Sequence, residues 1–127
     1  ARKWGNYKTG MFTSHQAMIY KTFALNDFRY DTDYMIAADY DLTCRFLKRD
    51  SLRISYLPIG VCVFEPGGLS FTQARTGRLE EHHIRKSLGL AGGMRGRMID
   101  IKKYLAMTLR RSSPKLYAVL RYRPASF

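Results

Sequence analysis

The order of apolar and polar positions divides the chain into a small number of segments. In "IAADYDLTCRFLKRD" (residues 36–50), Ala37, Tyr40, Cys44 and Leu47 recur at spacings of three and four. That is the period of a helix with one buried face, and it predicts a half-buried helix from about residue 36 to 49. "GMFTSHQAMIYKT" (residues 10–22) alternates imperfectly, with Phe12, Met18 and Tyr20 on one parity, and reads as a strand. "RISYLPIGVCVF" (residues 53–64) is a nearly continuous apolar run, partly β-branched, and reads as a mostly buried strand. Pro58 inside it marks an edge or a bulge, because proline cannot donate to a ladder. "LNDFRYDTDYM" is a polar loop dotted with aromatics, and "EPGGLS" is a turn by its Pro-Gly-Gly chemistry.

The second half of the chain is helical in pattern. "TQARTGRLEEHHIRKSLG" reads as a helix closed by Gly89. After the glycine-rich joint "LAGGMRG", Met94, Met98, Ile101, Leu105 and Leu109 repeat at spacings of three and four, with cations on the remaining faces. This is a basic amphipathic helix, ended by Ser112-Ser113-Pro114 and followed by a short "KLYAVLRYR" helix. One helix between two strands, with helices after them, predicts an α/β fold. Two strands cannot by themselves bury a run as apolar as the second one, so further strands are expected from a larger sheet.

Composition adds limits. The 127 residues suffice for one modest core, and a hydrophobic content of 46% excludes a disordered tail. Cys44 and Cys62 both sit in apolar runs and read as reduced, buried thiols in a cytosolic compartment, with a single disulfide as the alternative. No apolar stretch reaches the ~18 residues of a spanning helix. The start, "ARKWGNYK", has neither an initiator Met nor the apolar centre of a signal peptide, and is the expected start of a fragment.

The net charge of +12 is unevenly spread. Residues 94–127 hold nine Lys or Arg against one acid, Asp100, so this stretch supplies +8 and the first 93 residues +4. A basic tail of this kind seeks nucleic acid, anionic lipid or phosphorylated substrates.

Asp39 and Asp41 open the first helix, where carboxylates meet the positive end of the macrodipole. Asp41 and Arg45 form an (i, i+4) pair. Neither effect explains why Asp39 follows the small apolar run Ile36-Ala37-Ala38.

"TSHQAMIYKTF", "FRYDTDYMIAADYDLTCRFLKRD", "ISYLPIGVCVFEPGGLS" and "EEHHIRKSLGL" together resemble the C-terminal, acceptor-side half of family 2 glycosyltransferases of the bacterial polysaccharide-building type. Shared features are a His-Gln, a Phe-Asp loop, an "AADY-acid-Leu" helix start with Arg three residues beyond the Leu, and a Gly-Gly-x-Ser turn. Their order covers residues 12–90. The resemblance implies a GT-A fold, a mixed sheet with flanking helices, of which residues 1–92 are the acceptor-side half and 93–127 a basic helical tail.

It further implies an inverting transferase that moves a sugar from a nucleotide-sugar to a hydroxyl of a lipid-linked or polysaccharide acceptor, at the cytoplasmic side and peripheral to the inner face of the membrane. Asp39 matches the general base. Asp41 and Arg45 match its support pair, with phosphate binding a second role for Arg45. His15 and Gln16 match residues that border the cleft, with a buried, hydrogen-bonded histidine as the alternative for His15, and Gly67, Gly68 and Ser70 form a glycine turn first and a loop that approaches phosphate second. A divalent cation, Mg or Mn, belongs to the nucleotide-binding half, so the fragment alone is expected to be inactive.

"DTD" (residues 31–33) mimics a metal-binding motif, but its position matches the Phe-Asp loop, and no metal is assigned to this chain. His82 and His83 read as surface helix, since adjacent helical positions diverge by about 100°. Two other classes stand beside the enzyme reading. One is a basic nucleic-acid-binding module, which lacks any recognised motif, so nucleic acid is not the expected partner. The other is a non-catalytic domain that binds an anionic membrane surface.

Overall fold

Helix α1 (Ala38–Leu47) forms where the three-and-four spacing places it. The computed structural model describes residues 4–49, 54–63 and 68–121. Tyr40, Leu42, Thr43, Cys44 and Phe46 are all buried along α1, so the helix lies deeper than a half-buried surface helix. Its ends follow local rules. Lys48 closes the C-terminus with a backbone N–H donated to the Cys44 carbonyl, and Ala37 precedes the first turn with no side-chain cap of its own.

After α1 come the short helix α2 (Leu69–Thr72) and helix α3 (Ala74–Ser87), separated by Gln73 at φ −102° and ψ 34°. Gly89 ends α3 at φ +66°, a left-handed conformation that favours glycine. With that turn in place, the Leu90 N–H reaches back to the Arg85 carbonyl at 2.9 Å. The Lys48 ammonium donates to the Leu88 carbonyl at 2.9 Å, a cation at the end of α3 where the dipole favours it.

The core of this first unit (residues 1–91) is small: Tyr7, Ala37, Tyr40, Cys44 and Ile84, with Met11, Phe12, Tyr34, Leu47, Leu88 and Leu90 packed around it. Tyr40 carries its hydroxyl into that core and donates it to the Tyr7 carbonyl at 2.8 Å, so a buried polar group is satisfied. Gly77 lets α3 approach the chain before α1. A Cβ there would lie 2.9 Å from Cγ2 of Ile36, too close to hold without a shift. On the outer side of α1, Phe46 meets Tyr20 and Phe28 edge-on, with ring centres 5.1 and 5.4 Å apart.

The second unit (residues 92–127) holds α4 (Gly93–Ser112) and α5 (Pro114–Arg121), which contact each other across the single residue Ser113. Pro114 takes the first position of α5, where its missing N–H costs nothing.

The α/β expectation, and with it the GT-A mixed sheet, is overturned: among the described residues there are helices and 3-10 turns and no strand. Residues 10–22 hold the 3-10 turn His15–Ala17 and the start of a second, Thr22–Leu25. Ser14 and Gln16 share the parity of Phe12 and Met18, so no continuous apolar face exists to stabilise a strand. Residues 54–63, the described part of the second expected strand, have no regular structure, bend at Ile59 and are exposed along their whole length, Val63 to 91%. The expected burial fails with the expected pairing, because a strand is completed by a neighbour's hydrogen bonds. Cys62 lies in this segment as an exposed thiol, whereas Cys44 is buried; both are unbridged.

Burial pushes the Cys44 thiol up to about 12 from 9.0, and pushes the Tyr40 hydroxyl above its ordinary value too. Both groups ionise more readily in the unfolded chain, so their contribution is complete below pH 9 and is lost as pH rises toward the folded-state values. The urea midpoint should therefore fall between about pH 9 and pH 10, with the thiol contributing up to about 1.4 kcal/mol per pH unit. Cys44→Ala should show a shallower fall, and parallel slopes for the two proteins would contradict the assignment.

Candidate functional site

Asp39 lies in the first turn of α1, and its two carboxylate oxygens are used differently. Oδ1 accepts the backbone N–H of Tyr40 at 2.7 Å. Oδ2 lies 2.8 Å from Nδ1 of His15, a residue 24 positions earlier in the 3-10 turn His15–Ala17. That contact needs a proton on Nδ1, which fixes either the Nδ1-H tautomer or the imidazolium. The Asp39 side chain is 25% exposed and that of His15 52%, so the pair meets solvent and a ligand can reach it. Each carboxylate oxygen can accept a second hydrogen bond.

A helix start leaves backbone donors without intrahelical partners. Here the Tyr40 N–H of the first turn is taken by Asp39, and the N–H groups of the three residues that lead into the helix are satisfied from a distance. Glu80 of α3 accepts the N–H groups of Ile36 and Ala37 on Oε2, both at 2.8 Å, and that of Met35 on Oε1 at 3.0 Å. A carboxylate at this place also complements the positive end of the α1 dipole. Two carboxylates thus serve the helix start: Glu80 holds the three residues that lead into α1, and Asp39 takes the Tyr40 N–H of the first turn on one oxygen and meets His15 with the other.

Asp41 does something else. It is buried, and its Oδ2 accepts both Nε and Nη2 of Arg45 at 2.7 Å. Nη2 of Arg45 also donates to the Arg29 carbonyl at 2.7 Å, which ties the loop before α1 to the helix. Phe28 in that loop lies 4.7 Å from the Arg49 guanidinium, and Arg49 pairs with Asp27 at 3.0 Å. Asp41 and Arg45 form the (i, i+4) pair; a bound phosphate would have to share Arg45 with these two oxygens.

The other candidates are dispersed. Gln16 is exposed beside His15. Gly68 immediately precedes α2 in an extended conformation with open space around its Cα, and Ser70 is exposed on α2. Among the described residues neither Gly68 nor Ser70 bonds to the Asp39–His15 pair, and Gly67 lies outside the described residues. The expected turn over 65–70 becomes, from Leu69 on, the start of a helix. Asp31 accepts the Asp33 N–H at 3.0 Å in a local Asx turn, and no group of three His, Cys, Asp or Glu among the described residues could hold a metal. His83 is engaged by the Tyr34 hydroxyl, 3.0 Å from its Nδ1.

Glu80 escaped the sequence reading because its partners lie 43 to 45 residues away. One signal was present: Met35-Ile36-Ala37 offers no Ser, Thr, Asp or Asn just before the helix, which leaves backbone donors there open to a partner from elsewhere.

No family model matches the chain, and no curated protein or solved structure matches it significantly. The glycosyltransferase reading therefore rests on the motifs and on what the fold does with them.

Glu80→Gln replaces an acceptor-only carboxylate with an amide, one arm of which turns N–H against N–H. It should lower stability by about 1–3 kcal/mol, measured by urea denaturation. Asp41→Asn leaves Arg45 in a partly buried site without its counter-charge and should also cost about 1–3 kcal/mol, well above the few tenths of an exposed helix pair. An unchanged midpoint in either variant would show that the contact is dispensable.

Proposed function

We infer that the chain is the acceptor-side portion of an inverting, family 2-like glycosyltransferase. The observation that carries this reading is the 2.8 Å contact between His15 and Asp39. Two motifs that resemble the family's, separated in sequence, meet at one solvent-reachable carboxylate, and that carboxylate is the one the resemblance assigns as general base.

The acceptor hydroxyl approaches Asp39, whose oxygens each retain an accepting lone pair. As the hydroxyl oxygen bonds to the anomeric carbon of the donor, its proton passes to the Asp39 carboxylate. The bond from that carbon to the diphosphate breaks, and the nucleotide diphosphate leaves with the electron pair. His15 holds the carboxylate in one rotamer, and Glu80 holds the helix that carries it; both reduce the reorganisation needed during proton transfer. The described residues offer no cation site, and none of these steps is routed through one. No described helix is long and apolar enough to cross a membrane, so a lipid-linked acceptor would be met at a membrane surface.

The 127-residue chain by itself should transfer no sugar, because donor binding belongs to the other half. In the enzyme that joins the two, Asp39→Asn should lower kcat by roughly 10²–10⁴ while circular dichroism stays unchanged. His15→Ala should give a smaller loss, and Asp41→Asn should act mainly on stability. Near-normal kcat in a folded Asp39→Asn enzyme would remove the base assignment. Turnover by the isolated chain would remove the two-half reading.

A further inference from the structure

Helix α4 carries apolar residues on two sides. Ile99, Ala106 and Met107 are half-buried and fall on one side of the helix at about 100° per residue. Met94, Met98, Ile101 and Leu105 fall on the opposite side and are exposed, Met94 to 81% and Leu105 to 59%. These four positions, at spacings of four, three and four, form one straight ridge rather than scattered surface hydrophobics. The ridge is bordered by exposed cations along both edges: Arg95 and Lys102 on one, Arg97 and Arg111 on the other.

An apolar ridge left outside is unfavourable in water unless something covers it. The two rows of cations identify the cover by charge complementarity. Guanidinium and ammonium groups on both sides of a narrow apolar strip match a surface that is apolar below and anionic at its boundary, with the long cationic side chains reaching outward to headgroup phosphates. The strip has no aromatic platform beyond Tyr104 at its margin, which argues against stacked bases as the cover.

We propose that α4 docks flat on an anionic lipid bilayer, with Met94, Met98, Ile101 and Leu105 inserted and Arg95, Arg97, Lys102 and Arg111 at the headgroup phosphates. The α5 residues Leu116, Val119 and Leu120 are exposed as well. The proposal stands on α4 alone and holds whichever reaction the rest of the chain serves.

Sedimentation of the full 127-residue chain with vesicles tests it. With phosphatidylcholine vesicles containing about 30% phosphatidylglycerol, binding should be clear at about 50 mM salt and fall on the order of tenfold at about 300 mM. Pure phosphatidylcholine vesicles should bind little. Leu105→Asp, at an exposed position, should abolish binding with an unchanged circular dichroism spectrum, and Arg97→Gln with Lys102→Gln should weaken anionic binding while sparing the fold. In Leu105→Trp, emission should shift to the blue only when anionic vesicles are added. Four results would overturn the proposal: equal binding to both vesicle types, full binding by Leu105→Asp, a salt-dependent duplex DNA complex that Leu105→Asp leaves intact while vesicles fail to bind, or a concentration-dependent dimer without vesicle binding.

Discussion

The first unit depends on one carboxylate. Glu80 accepts three successive backbone N–H groups from Met35, Ile36 and Ala37, and so fixes the chain that leads into α1. Its neighbours on the inner face of α3 complete the docking. Gly77, about one turn earlier, makes room for Ile36, and Ile84, about one turn later, sinks into the core with Tyr40 and Cys44. That face reads small, charged, apolar, and it fits because a helix N-terminus, rather than another apolar stripe, lies against its middle.

Three carboxylates around α1 thereby take three separate tasks. Glu80 holds the helix start, and Asp41, buried, holds Arg45 and through it the Arg29 carbonyl. Asp39 is left facing solvent in part, with one oxygen on the Tyr40 N–H and the other on His15. Because Glu80 fixes the chain that leads into α1, Asp39 commits only one oxygen to the helix start, and structural work is partly separated from the solvent-facing carboxylate. The same separation recurs in α4, where one apolar side is half-buried and the other is left outside between cations.

Much of the helical structure could be read from the chain. The stripe of Ala37, Tyr40, Cys44 and Leu47, the left-handed Gly89 and the break before Pro114 all appear where local pattern puts them. The reason is that a helix closes its hydrogen bonds within the segment, and its stops act within one turn. The candidate site was legible in part: Asp39 was picked out, and His15 beside it was picked out separately, but nothing along the chain states that they touch.

The remaining features were decided by distant contacts. An apolar run such as residues 54–63 has the composition of a strand, yet it is irregular and exposed, since a ladder needs a second strand and none stands beside it among the described residues. Cys62 is exposed for the same reason, while Cys44, in an equally apolar setting by sequence, is buried by α3. The burial of Asp41, the hydrogen bonds to Glu80 and the His15–Asp39 contact join residues that sequence spacing does not relate, or depend on such joins. Local periodicity determined which segments are helices; which polar groups those helices satisfy, and which they leave exposed, was set only when they packed.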